Sequence, residues 1–242
     1  MGRCGGDQSF HDLCTLVSAC VSSSATPLWW WAWENTGVPQ REETTETGLD
    51  HVVVVGGTPA QWLSMSDVQW RERLESVAVG AAAGGAKWIT VFPHHGNSLQ
   101  KSDEELFRRL MLSTATGEYL STQPRRFVWR RNDDVTVIVD SSPNGRERFA
   151  RTIEELRVAG TDPQSLTEES VSYAILSPAT HEADLVVVIG PPDRIPHSLI
   201  WELAYSELVF LDMNWEQLMS SHLELAIDDF NRRHRRFGGL DS

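Results

Sequence analysis

His51-Val52-Val53-Val54-Val55-Gly56-Gly57 is an unbroken β-branched run closed by two glycines. Four consecutive valines leave no polar face, so the segment reads as a strand buried on both sides, the kind found inside a parallel sheet. Helical signals follow at once. Ser66-Asp67 can cap a helix carrying Val68, Leu74, Val77, Val79 and Ala81 to Ala83, which Gly84-Gly85 can close. The alternation then repeats. Apolar strands are expected at Lys87–Phe92, Val135–Val139, Asp184–Ile189 and near Leu208–Leu211. Helices should open at Ser102 and cover Arg146–Leu156, Leu166–Ile175, Leu199–Tyr205 and Trp215–Arg236. This order predicts an α/β fold: a single domain with a mainly parallel central β-sheet flanked by helices on both faces. Ligands in such sheets sit at the carboxyl ends of the strands. Those ends carry Gly56-Gly57-Thr58-Pro59, Pro93-His94-His95-Gly96-Asn97, Ser141 to Gly145, and Gly190-Pro191-Pro192-Asp193-Arg194.

Upstream of the first strand the composition changes. Residues 1–49 read as a Trp-rich arm, with Trp29, Trp30, Trp31 and Trp33, followed by an acidic linker through Arg41-Glu42-Glu43. Indoles suit either a membrane interface or a protein contact, so peripheral membrane contact is one expectation for the arm. Leu13 to Val21 is too short and too polar to span a bilayer. Cys4, Cys14 and Cys20 fit no zinc or CxxC spacing, and an odd number reads as reduced thiols. The folded domain is expected over 50–239, with 240–242 as a C-terminal end.

The formal net charge of −13 argues against nucleic-acid binding, which needs a basic face. Against that balance stands Asn231-Arg232-Arg233-His234-Arg235-Arg236-Phe237-Gly238-Gly239. Guanidinium forks match phosphate oxygens and glycines admit a close ligand, so a diphosphate is the natural candidate; the same residues are also an ordinary helix stop. The strand ends show no nucleotide or nucleophile motif: Gly56-Gly57 lacks GxGxxG and is followed by Pro59. Adjacent histidines in an extended loop should diverge, which weighs against a metal at His94-His95.

Ser198-Leu199-Ile200-Trp201-Glu202-Leu203-Ala204-Tyr205-Ser206-Glu207-Leu208-Val209-Phe210, Trp215 beyond it and the terminal Arg235-Arg236-Phe237-Gly238-Gly239 resemble the cis-prenyltransferase family, the undecaprenyl and dehydrodolichyl diphosphate synthases, over roughly 50–239. The resemblance implies isoprenoid diphosphate substrates, a Mg²⁺ cofactor, and an interface at Trp201, Tyr205, Glu207 and Phe210. It also exposes a gap. Members of the family follow the first strand with a Met-Asp-Gly-Asn-Gly-Arg-Trp-Ala type loop; here Gly57 occupies the aspartate position and no arginine follows. Where catalytic subunits carry Arg-Thr-Gly-Gly-Glu, this chain has Gly190-Pro191-Pro192-Asp193, although Arg194 persists at a phosphate-contacting position.

That pattern resembles the Nogo-B receptor type of non-catalytic accessory subunit. The resemblance implies a heteromeric dehydrodolichyl diphosphate synthase complex on the cytoplasmic face of the endoplasmic reticulum membrane, making polyprenyl diphosphate for dolichol and protein glycosylation. The partner subunit would hold most of the Mg²⁺ site. This chain would lend its Arg-x-Gly tail in trans, so Arg236, Gly238 and Arg235, with Arg194, become the diphosphate-binding residues. Glu207 resembles the magnesium-binding glutamate of catalytic members, which keeps a divergent homodimeric prenyltransferase open. A binding module that retained the fold without the chemistry is the third alternative.

Overall fold

The computed structural model describes residues 48–123 and 125–237, with backbone alone at 122 and 234–237. Nearly all of the Trp-rich arm and linker, and Gly238 with the residues after it, lie outside the described residues. Seven strands form one sheet in the order β3-β4-β5-β2-β1-β6-β7. They are β1 (His51–Gly56), β2 (Trp88–Phe92), β3 (Glu118–Thr122), β4 (Arg126–Arg130), β5 (Thr136–Asp140), β6 (Leu185–Ile189) and β7 (Glu207–Leu211). The helices are α1 (Pro59–Ser64), α2 (Asp67–Ala83), α3 (Lys101–Thr114), α4 (Gly145–Val158), α5 (Glu168–Leu176) and α6 (Ser220–Phe237).

The valine run of β1 lies at the centre, pairing in parallel with β2 on one side and β6 on the other, as a strand buried on both faces should. Its alternate residues separate. Val52 and Val54 join the core under α1, α2, α3 and α6, whereas Val53 and Val55 join the opposite core with Phe92, Val186, Val188 and Leu199. The first core is built around aromatic rings. Trp62 meets Trp70 at 5.1 Å, Phe107 at 6.0 Å and Trp215 at 6.3 Å between centroids, and Phe107 meets Phe127 at 5.6 Å. A fully buried tryptophan removes about 200 Å² from water, on the order of 5 kcal/mol by area.

Helix ends follow the local chemistry. Ser66 caps α2 and Thr58 caps α1, each reciprocated by a glutamine three residues on. Five features depart from the sequence expectation, the first being α1 itself, since no helix was expected before Ser66. The antiparallel β3–β4 hairpin, which extends the sheet beyond β5, was not anticipated. The expected helix at Leu199–Tyr205 is a series of turns. There the Ser198 carbonyl accepts from Arg148 and the Ser198 hydroxyl donates to Pro93 O, anchoring the backbone to α4 and to the loop after β2 rather than to its own next turn. The last helix begins at Ser220, after a 3₁₀ turn at Trp215–Gln217, and the helix expected from Leu166 begins at Glu168. Among the described residues no helix is long and apolar enough to cross a membrane.

Candidate functional site

Strand order reverses between β1 and β6: β2 follows β1 on one side, and β6 and β7 lie on the other. A crevice is expected at that switch point, beyond the carboxyl ends of the two strands. It is there, about 410 Å³ in volume, with Gly57, Gln61, His94, Gly190, Asp212 and Trp215 in its wall. Three loops meet at it. His94 N donates to Gly57 O at 2.7 Å, tying the loop after β2 to the loop after β1, and Gly190 N donates to Leu211 O.

Gly57 is fixed in both conformation and surroundings. Its φ of +70° is one that side-chain-bearing residues rarely adopt, and a Cβ there would stand 2.9 Å from Trp62 Nε1 and 3.0 Å from Trp215 Cδ1. The Trp62 indole is itself held by donating to Gly56 O at 2.9 Å. The position thus has neither the backbone nor the room for a carboxylate.

His94 is buried, and its Nε2 has no hydrogen-bond partner. Burial lowers its pKa, and the neighbouring His95, Arg194 and His197 lower it further against the opposing pull of Asp193. The two histidines do not diverge as expected. Their Nδ1 atoms lie 2.9 Å apart, so one ring donates to the other and neither can offer that nitrogen to a metal. The Trp215 N–H, buried in the same wall, is also without a partner.

The expected site residues fall in four places. Arg194 is exposed in the loop after β6, close enough for its charge to reach His94. Glu207 opens β7 in register with Leu185 and Val52, at the far end of the strands; Gly57 is five residues further along, roughly 16 Å at strand spacing. Its nearest cation is Arg233, at 3.9 Å. Trp201, Tyr205 and Phe210 lie on the second face. Trp201 stacks on Phe149 and donates to Ser172 Oγ, Phe210 packs against the second core, and Tyr205 is 76% exposed. Arg235 and Arg236 continue the backbone of α6; their side chains and Gly238 lie outside the described residues.

These residues do not fit a Mg²⁺ ion at the crevice. Mg²⁺ in phosphate sites rests on one or two carboxylates; Gly57 excludes one where the family resemblance calls for it, Glu207 stands at the other end of the sheet, and the crevice's own Asp212 and Glu216 are not joined into a ligand group. No group of three or more His, Cys, Asp or Glu among the described residues could hold a metal. What sequence reasoning missed here is the pair Trp62 and Trp215, which close in on Gly57, with Trp215 in the crevice wall; their spacing gave no signal that they would meet.

An α/β sheet with a ligand crevice at its switch point is the class that fold and site define. Within that class, the sequence profile described as putative undecaprenyl diphosphate synthase matches residues 109–238, more than half of the chain. The chain belongs to this cis-prenyltransferase family. It is 32% identical over 115 residues to isoprenyl transferase 2 of Bradyrhizobium diazoefficiens, covering 46% of each protein. It is 34% identical over 113 residues to the isoprenyl transferase of Lactococcus lactis, covering 45% of this chain and 46% of the relative. A ditrans,polycis-undecaprenyl-diphosphate synthase of Lactiplantibacillus plantarum is 35% identical over 97 residues, covering 40% of this chain and 37% of the relative. The chain thus spans less than half the length of these relatives. The fold is shared with lavandulyl diphosphate synthase from Lavandula x intermedia, solved with dimethylallyl diphosphate, at a TM-score of 0.50 and 14% identity over 77% of this chain and 97% of that one.

Proposed function

We propose that this chain is a non-catalytic accessory subunit of a heteromeric cis-prenyltransferase, elongating farnesyl diphosphate with isopentenyl diphosphate only in complex with a catalytic partner. The observation that carries the reading is the wall around Gly57. Two indoles and a positive φ stand where the family resemblance calls for an aspartate. The packed ring cluster of Trp62, Trp70, Phe107, Phe127 and Trp215 supports it further, since that face of the sheet is filled by the protein's own side chains. A growing hydrocarbon chain would be housed by the partner.

In this reading Trp201, Tyr205, Glu207 and Phe210 belong to the subunit interface. The exposed Tyr205, with Ile195 and Ile200 also exposed in the preceding loop, supports that assignment. The tail would reach across it, with Arg236, Gly238 and Arg235 neutralising diphosphate charge in the partner's site and Arg194 assisting; guanidinium forks suit phosphate oxygens. The partner would hold the Mg²⁺. Product for dolichol and a station at the endoplasmic reticulum membrane follow from the same reading.

The test is reconstitution of the full chain with a catalytic cis-prenyltransferase subunit, farnesyl and isopentenyl diphosphates and Mg²⁺. Polyprenyl diphosphate should form with the pair and not with this chain alone. Turnover by the chain alone would overturn the proposal in favour of a homodimeric enzyme. Full activity after deletion of residues 235–242 would remove the tail from the mechanism.

A further inference from the structure

The stretch from Ser198 to Ser206 holds a shape that its own backbone does not supply. It is neither helix nor strand, and its backbone contributes two local bonds, Leu199 N to Pro196 O at 3.2 Å and Ala204 N to Trp201 O at 3.4 Å. Yet it presents Ile200 and Tyr205 to solvent, both well exposed. A run of turns keeps one conformation only where other groups pin it, because each unpinned residue regains its conformational entropy.

The pins come mainly from α4. Gly145 lies against the stretch, where a Cβ would stand 2.8 Å from Ser198 O and 3.0 Å from Ile200 Cγ1. About one turn further along the helix, Arg148 Nη2 donates to Ser198 O at 3.1 Å and lies 2.7 and 2.8 Å from the two Glu202 carboxylate oxygens. A single nitrogen thus ties Ser198 to Glu202, with Ile200 and Trp201 between them. Next to it Phe149 stacks on Trp201, with ring centroids 5.9 Å apart, and the Trp201 indole donates to Ser172 Oγ of α5 at 2.7 Å. Ser206 Oγ donates to Glu202 O at 2.7 Å and closes the far end.

Stability does not account for this ion pair. Arg148 and Glu202 are each 3% exposed, and the guanidinium Nε and Nη1 have no hydrogen-bond partner among the described residues. The cost of taking two charges out of water can exceed what their attraction returns, so an apolar pair of similar volume is often equally stable or more so. The Phe92 ring, 4.3 Å from the guanidinium carbon, offsets part of that cost. What the ion pair adds over an apolar one is direction, since its hydrogen bonds are satisfied in one arrangement of the stretch.

We propose that Arg148 is a positioning residue for subunit assembly: through Ser198 O and Glu202 it fixes residues 198–206 in the shape that offers Ile200 and Tyr205, with Phe149 beside Trp201, to the catalytic partner. The identity of the partner rests on the accessory reading above, whereas the shape of the stretch does not.

The test compares the full chain with Arg148→Met/Glu202→Leu, which replaces the ion pair by side chains of similar volume. Sedimentation with a catalytic cis-prenyltransferase subunit reads partner affinity, and ¹⁵N NMR of the chain alone reads the Trp201 indole N–H, assigned by Trp201→Phe, and the amides of 198–206. The double variant should unfold cooperatively in urea, bind the partner at least about tenfold more weakly, and broaden or move the Trp201 indole and 198–206 resonances. Where it does not fold, Arg148→Lys, which keeps the charge but loses the planar fork, decides by the same two measurements. A folded variant that binds as tightly as the unaltered chain, or that leaves those resonances in place, overturns the proposal. Should the unaltered chain bind no catalytic subunit, the accessory reading falls, and the NMR comparison alone decides whether Arg148 sets the shape of the stretch.

Discussion

A carboxylate at position 57 would need a backbone other than the one Gly57 adopts and the space that two indoles now hold. Gly57→Asp is therefore expected to destabilise the protein by at least about 1–2 kcal/mol through φ alone, and to yield no Mg²⁺-dependent prenyl transfer by the isolated chain; urea unfolding and a radiolabelled isopentenyl diphosphate assay check the two halves. His51 gives a second prediction at this scale. It is fully buried, with Nδ1 at 3.0 Å from His181 O and Nε2 at 2.9 Å from Thr90 Oγ1, so the neutral ring is satisfied at both nitrogens. Burial lowers its pKa from 6.5 to about 4. Above pH 6.5 neither folded nor unfolded state binds the proton. Between 6.5 and 4 the unfolded state binds it and the folded state does not, so stability falls as the pH falls, by about 3 kcal/mol in all. Denaturant titrations at pH 7.5, 6 and 5 should show that slope, and His51→Gln should flatten it.

The elements show which sequence signals carry weight. β1, β2, β5 and β6 were legible because each is a β-branched run buried on both faces, and α2 because its cap is spelled out at Ser66. The β3–β4 hairpin was not, since Glu118-Tyr119-Leu120-Ser121-Thr122 is half polar and β4 begins and ends with arginine. Its burial comes from a tertiary contact, Arg126 reaching Asp140 and the end of α5, which no local pattern announces. At the candidate site the loops were readable from strand ends, whereas the packing around Gly57 was not, because Trp62 and Trp215 are far apart in sequence and meet only in the folded core. The packing of α2 on α6 yields a prediction whose sign separates two effects. Helix propensity alone says that Gly80→Ala should gain about 1 kcal/mol. A Cβ at Gly80, however, would stand 2.8 Å from Leu223 Cβ and 2.9 Å from Ser220 O, and overpacking of this kind costs about 1–3 kcal/mol. A lowered thermal midpoint is expected; a raised one would mean that α6 can move away freely.

At the scale of the whole molecule the proposed accessory role makes the exposed second face the subunit interface. Tyr205, 76% exposed, can be replaced by Ala at a cost to this chain's own stability within about 0.5 kcal/mol. Co-purification with a catalytic partner should nevertheless fall at least tenfold, which separates an interface residue from a structural one; sedimentation of the mixture measures it. One more consequence belongs to the central position of β1. Its first neighbour, β2, is complete within about forty residues, but its other edge waits for β6, where Val52 meets Leu185. At the usual pace of translation that edge stays open for on the order of ten seconds as the nascent chain leaves the ribosome. The strand with four consecutive valines is thus also the one whose second edge is closed late in synthesis, and a chaperone that holds it until β6 emerges would raise the yield of folded chain.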